Sequence, residues 1–269
     1  MVQLLKVLAH HIHDCAPNPV LEKITDYKSS HINLETTNPK LWLQLTIHEI
    51  EALRLSFQLH KAEEVWLATE KKLVQSPIRY NKKTRIHLYN TVGTLYKHLI
   101  RYHKSLEFFL LSRKLLKSSK NLKQDFVAYN NTLLLIKINI YHSRIRTENF
   151  KDIKKQQKKV FSLLHRLKNN ISPAVLKTKI SAYFTLGSSY AYLNDYETAI
   201  SYGFKMIHIV ESLFKPLHIS FYNAYEFIAQ TKAFLGKSDE ALRYMEICHQ
   251  IIEKTTTIPR CIKASTIIC

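Results

Sequence analysis

The sequence predicts an all-α protein, a solenoid of about five helix-turn-helix repeats, on three observations. One pattern recurs about every 40 residues and is most legible at Tyr183, Gly187, Tyr190, Tyr196 and Ala199. The 269 residues include only 4 glycines and 7 prolines, too little punctuation for sheets and tight hairpins. The breakers Pro39, Pro77, Pro173, Pro216 and Pro259 fall between apolar-periodic segments, as in a chain of successive helices. Hydrophobic residues, 46% of the chain, are ample for a core.

Taken in order, residues 1–38 form two short helices at most, over 1–14 and 19–31. Residues 39–254 form the solenoid, and 255–269 are a tail expected to be disordered or to leave the array uncapped. Placing Gly187 in the small slot of a first helix puts Gly93 in the equivalent slot, with Tyr89 four residues before it and Tyr96 three after. Tyr102 and Ser105 then match Tyr196 and Ala199. The last copy has Ala229 in the slot, Tyr225 before it, and Gly236 and Ala241 across the turn. Weaker copies start at Thr46 (Ile50, Leu53, Ala62) and Tyr129 (Leu133, Ile136, Phe150, Ile153).

A small residue in each first helix lets its partner approach closely, and the flanking aromatics fill the groove on the same face. Ala62, Ser105, Ala199 and Ala241 do the same for the second helices, so the aromatic anchors read as core. The step from Tyr129 to Tyr183 is longer than the others, which predicts extended helices or a longer loop in the third repeat.

Leu186-Gly187, Tyr190, Asn194-Asp195-Tyr196-Glu197 and Ala199 resemble the tetratricopeptide repeat over roughly residues 40 to 254. The long period is similar to the variety in the bacterial peptide-pheromone receptors of the Rap, PlcR and Rgg group and in kinesin light chains. The resemblance implies a right-handed superhelix and a regulatory, quorum-sensing type of role, and the bias towards Lys, Asn and Ile fits a bacterial or phage source of low GC content. In that architecture the positions one, five and eight after each anchor line the groove. Here these are Ile47, Glu51 and Arg54; Asn90, Thr94 and Lys97; Asn130, Leu134 and Lys137; Phe184, Ser188 and Ala191; and Glu226, Gln230 and Ala233. Asn90 and Asn130 each follow an anchor tyrosine, and the resemblance implies that such asparagines hold a peptide main chain, to which an amide can both donate and accept. Lys97 and Lys137 would add a preference for an acidic side chain or a terminal carboxylate. Only about 40 residues precede the first repeat, too few for the DNA-reading or three-helix domains of the pheromone receptors. The expectation is a shortened relative, or an exposed end that meets another copy of the chain.

A net charge of +19 would attract nucleic acid, anionic membrane or acidic protein. Lysine runs at Lys114–Lys123 and Lys151–Lys159 read first as solvated faces of outer helices. The competing reading is a basic solenoid that binds RNA or DNA backbone through Lys151, Lys154, Lys155, Lys158, Lys159 and Arg166. Cys15, Cys248, Cys261 and Cys269 show no metal or disulfide spacing, and no leader or long apolar run is visible, so a cytoplasmic protein without a membrane partner is expected. The cluster from His10 to Cys15 lacks further ligands, and no metal, cofactor or catalytic residue is expected. The motifs of phosphate-binding loops, nucleophile elbows and zinc proteases are missing, so the sequence points to a binding scaffold for a peptide or extended protein segment rather than an enzyme.

Overall fold

The computed structural model describes residues 2–13, 17–75, 80–147, 153–214, 216 and 218–254. Among these are fourteen α-helices, one 3-10 turn and no strand, so the chain is an all-α helical-repeat protein. No helix among the described residues is long and apolar enough to cross a membrane. The tail 255–269, Phe150 and Lys151 lie outside the described residues.

The chain divides into two compact units, Met1–Leu122 and Lys123–Cys269. The first holds α1 (Val2–His13), α2 (Pro17–Ser30), α3 (Leu34–Thr37), α4 (Pro39–Leu55), α5 (Leu59–Gln75), α6 (Lys82–His98) and α7 (Tyr102–Lys117); the break falls within the short α8 (Lys120–Gln124). Asn38 starts α4 by accepting from the Leu41 N–H at 3.1 Å, with Pro39 at the first helical position, where a missing N–H costs nothing. Leu8, Val20, Ile24, Leu41 and Leu45 form one core, so α1 and α2 pack onto the first repeat helix. A second core joins α4, α5 and α6 through Ile47, Ile50, Ala62, Trp66, Val92 and Tyr96.

The second unit holds α9 (Phe126–Arg146), α10 (Ile153–Arg166), α11 (Pro173–Tyr192), α12 (Tyr196–Leu213), a 3-10 turn (Ile219–Phe221), α13 (Tyr222–Phe234) and α14 (Ser238–Lys254). The helices α4/α5, α6/α7, α9/α10, α11/α12 and α13/α14 pack as neighbouring pairs, matching the five repeats read from the sequence. The long third step arises from helices: α9 has 21 residues and α11 has 20.

Two local devices repeat. Each described turn between paired helices contains one residue in the left-handed region: Phe57 at φ 59°, Ile100 at 61°, Asn194 at 60° and Gly236 at 79°. The following N–H reaches back to the helix in every case: Gln58 to Leu53, Arg101 to Tyr96, Asp195 to Tyr190 and Lys237 to Lys232, at 2.9 to 3.0 Å. This closes the carbonyls that a helix end leaves open. The second device is close approach. A Cβ at Gly93 would lie 2.7 Å from the Phe109 ring, and one at Gly187 would lie 2.8 Å from Phe227. Ser105, in the second-helix small slot, donates to the Gly93 carbonyl at 2.8 Å.

Aromatic rings fill the space around these contacts. Phe108 lies between Tyr89 and Tyr96, with ring centroids 6.0 and 5.6 Å away, and Tyr202 lies between Tyr183 and Tyr190 at 5.9 and 5.7 Å. Tyr244 takes the equivalent place against Tyr225 at 6.0 Å. Phe108, Tyr202 and Tyr244 thus form a repeat position that the anchor reading overlooked, although all three stand equally far after their small residue.

Gly93→Ala is expected to destabilise the fold by about 1–3 kcal/mol through overpacking, and Phe109→Leu should recover part of that loss in the double variant. Ile100→Gly should stabilise by about 0.5–1 kcal/mol, because a β-branched residue is strained at positive φ and this one is exposed. Urea unfolding of the four variants checks both expectations.

Candidate functional site

In the first unit, the neighbouring first helices α4 and α6 bring together Glu51, Arg54, Asn90, Thr94 and Lys97, the predicted groove positions, with Ile47 turned into the core. The structure adds three histidines and a threonine. Glu51 accepts from His87 Nε2 at 3.1 Å and from Thr91 Oγ1 at 3.0 Å, and its second oxygen lies 3.5 Å from His48 Nδ1. The two imidazoles meet edge to face at 6.1 Å. Burial alone would raise the Glu51 pKa. The charges and hydrogen bonds of His87 and His48 outweigh it and hold the carboxyl well below its usual range. Burial pulls His87 down, but the Glu51 carboxylate more than offsets this and leaves it raised.

About one turn further along the same face the charge changes sign. Arg54 places a guanidinium nitrogen 3.4 Å from His98 Nε2. Burial, then the Arg54 charge, pushes Lys97 down to about 8. Burial, then Arg54 and Lys97, pushes His98 down to about 3, so this imidazole is neutral at physiological pH. Asn90 is half-buried on α6, and Thr94 donates to the Asn90 carbonyl at 2.8 Å. The face therefore offers an amide about two helical turns from two crowded cations, an environment that a carboxylate would relieve.

The second unit treats the predicted groove residues differently. Asn130 is 2% exposed; its amide donates to the Phe126 carbonyl at 2.7 Å, and its oxygen lies 3.5 Å from Arg166 Nη1. Leu134 is wholly buried. Both α10 and α11 pack against α9. The two asparagines, equivalent in sequence, therefore occupy different environments. On α11, Phe184 meets Phe227 edge to face at 5.5 Å, and Ser188 is half-buried. On α13, Gln230 is exposed and Glu226 is half-buried; burial raises the Glu226 pKa, while a hydrogen bond from the Tyr222 hydroxyl at 3.3 Å works against the rise.

Lys137 instead lines an open cleft of about 560 Å³ between α9 and α10. Its other walls are Leu133, Lys154, Lys155, Lys158, Lys159, Ser162, Leu163 and Arg166. Lys154, Lys155, Lys158, Lys159 and Arg166 of the competing sequence reading and one residue of the peptide groove thus belong to the same cleft, while Lys151 lies outside the described residues. No carboxylate lines it among the described residues. Lys179, a lysine the sequence did not single out, is buried and ties down the end of this region by donating to the carbonyls of Lys168 and Asn170 at 3.1 and 3.0 Å. No group of histidine, cysteine and acidic side chains suited to a metal occurs among the described residues.

No protein-family model matches this chain, and no curated protein does. Among solved structures, BtubC (BKLC) from P. vanneervenii is similar over 88% of this chain and 91% of its own, with a TM-score of 0.57 and 14% identity, which shows a shared fold. NprR, solved in complex with its cognate peptide NprX, aligns over 95% of this chain and 79% of its own at 12% identity. Its TM-score of 0.36 is too loose a superposition to bear on ligand or site.

Lys97→Met is expected to stabilise the protein at pH 7 by about 1–2 kcal/mol. The folded-state pKa of Lys97 lies near 8 and the ordinary value is 10.5, so between these limits the unfolded chain binds a proton that the folded chain has released. Wild-type stability therefore rises with pH across this window, relative to Lys97→Met, and the advantage of the variant should vanish above it. Urea unfolding of both proteins from pH 7 to pH 10.5 measures this; equal stability at pH 7 would mean that Lys97 is well solvated.

Proposed function

We propose that this protein is a helical-repeat binding scaffold rather than an enzyme, and that the α4–α6 face takes an extended polypeptide segment bearing carboxylates. The observation that carries this reading is the crowding of Arg54, Lys97 and neutral His98 on the same half-buried face as the Asn90 amide. Arg54 can grip a carboxylate with two parallel hydrogen bonds, and Lys97 supplies a point charge. Asn90 can both donate to and accept from a peptide main chain. The Glu51–His87–His48 cluster lies on the same face, so a segment laid across it meets opposite charges in succession and its direction is selected. A regulatory role in the cytoplasm, as the pheromone-receptor resemblance implies, belongs to the same proposal; the folded helices supply only the scaffold.

Acidic peptides arrayed against their amide counterparts test the reading by fluorescence polarisation. The acidic set should bind about tenfold tighter or better, and Arg54→Gln, Lys97→Met and Asn90→Ala should each lose about 1–3 kcal/mol of affinity. Affinity should fall from pH 7 to pH 9 as Lys97 gives up its proton, and Lys97→Arg should flatten that dependence because a guanidinium stays charged. Equal binding of acidic and amide peptides, or unchanged affinity in all three variants, would refute the assignment. A Lys97→Met protein that is more stable and binds less tightly would mark the lysine as kept for binding at the expense of the fold.

A further inference from the structure

We infer that the α9–α10 cleft is a nucleic-acid site that grips the phosphate backbone of a duplex without reading its bases. Lys154, Lys155, Lys158 and Lys159 of α10, with Arg166 and with Lys137 of α9, line one cleft that contains no carboxylate among the described residues. The cations of α10, gathered in a lining with no carboxylate among the described residues, repel one another, an arrangement that a polyanion relieves and that helix packing alone does not require.

The placement distinguishes a strand of phosphates from a compact anion. From Lys154 to Arg166 the cations follow α10 for about 18 Å at 1.5 Å per residue. They form two rows, with Lys154 and Lys158 in one and Lys155 and Lys159 in the other, one helical turn between members. A duplex strand presents one phosphate per about 3.4 Å of axis, so this length faces about five phosphates. A small polyphosphate would engage only part of it.

The chemistry favours nucleic acid over an acidic protein. Five of the six cations are lysines, which act as point charges tolerant of phosphate position rather than as forks shaped for a carboxylate. Ser162 is the one neutral polar side chain in the lining, so a peptide main chain would find few partners. Among the described residues no aromatic ring lines the cleft, so the lining offers no platform for stacking unpaired bases and points to backbone contact with a duplex. Asn130 acts as a positioning residue: its buried amide is oriented by the Phe126 carbonyl and aims its oxygen at Arg166, holding the guanidinium at one end of the row. This site is independent of the α4–α6 face, and its failure would leave the peptide reading standing.

The test uses the full chain and short fluorescein-labelled duplexes of RNA and DNA, either of which counts as occupant, with anisotropy measured from about 50 to 200 mM salt. The expected result is binding whose logarithm falls linearly with the logarithm of salt concentration. The exposed pair Lys154→Gln/Lys158→Gln should weaken it about tenfold or more and lower the slope by about 2. Lys61→Gln/Lys71→Gln, also exposed and equal in charge change, should leave both unchanged. Circular dichroism confirms that the variants are folded. Three results would overturn the site: no duplex binding at the lowest salt, equal weakening by the control pair, or poly-glutamate that displaces the duplex at matched charge concentration. The first denies a nucleic-acid partner, the second reduces the effect to net charge, and the third assigns the cleft to an acidic protein.

Discussion

The fold depends on how closely neighbouring helices approach at their small residues. Gly93 against Phe109 within the α6/α7 pair, and Gly187 against Phe227 between the successive first helices α11 and α13, leave no room for even a methyl group. At such distances ring shape and backbone position determine each other, since interiors pack as densely as organic crystals. The serine in the second-helix slot uses the same closeness differently. Ser105 reaches the Gly93 carbonyl across the pair, and Ser112 reaches the Ile86 carbonyl at 3.1 Å, so helix register is fixed by hydrogen bonds as well as by shape. The rings of Phe108 and Tyr202, each held between two tyrosines of the facing helix, lock the rotation that a small-residue contact alone would leave free.

With pairing fixed in this way, the surface chemistry of the first helices follows from what lies beside them. In the first unit α4 and α6 are neighbours, and the side chains that meet along their seam include both signs of charge and three imidazoles. Glu51 meets three partners, whereas Arg54 and Lys97 push against each other beside the neutral His98. A face with one settled cluster and one crowded cluster is more than a solvated surface. Partial burial makes the repulsion costly, because two cations that lose water screen each other less. Local rules violated in this way concentrate where a protein does its work.

The repeats were legible because their signal is steric and local. Gly187, Gly93 and the tyrosines around them mark a contact that only small residues and rings can make, and the spacing of such marks survives wide divergence elsewhere. The groove was legible only in part. Anchor spacing fixes the side of the helix on which a residue lies, but not whether a neighbour covers that side. Asn90 stays near the surface on α6, while Asn130 on α9 is enclosed, with Arg166 of α10 against its amide oxygen. The cleft was missed for the complementary reason: its lysines were seen in sequence as the outer face of one helix, and the participation of Lys137 depends on how α9 and α10 cross. Lys179 shows the same limit, since the burial of a lysine under the end of α10 depends on two carbonyls that no sequence pattern announces.

The two charged surfaces operate on different physics. Around Lys97 the charge is short-ranged and desolvated, so its effect rests on hydrogen bonds and the fit of a single carboxylate; salt hardly reaches such a pair. Along α10 the charge is exposed and of one sign, so it acts through a field that extends about a Debye length and weakens as salt rises. The first arrangement suits selection among similar ligands, because an unmatched amide or guanidinium is penalised on burial. The second suits rapid capture of a polyanion, since steering raises the rate of encounter more than it refines the choice. A net charge of +19 is therefore misleading as one quantity. It combines charge held half-buried, where it costs stability, with charge displayed at the surface, where water moderates its self-repulsion.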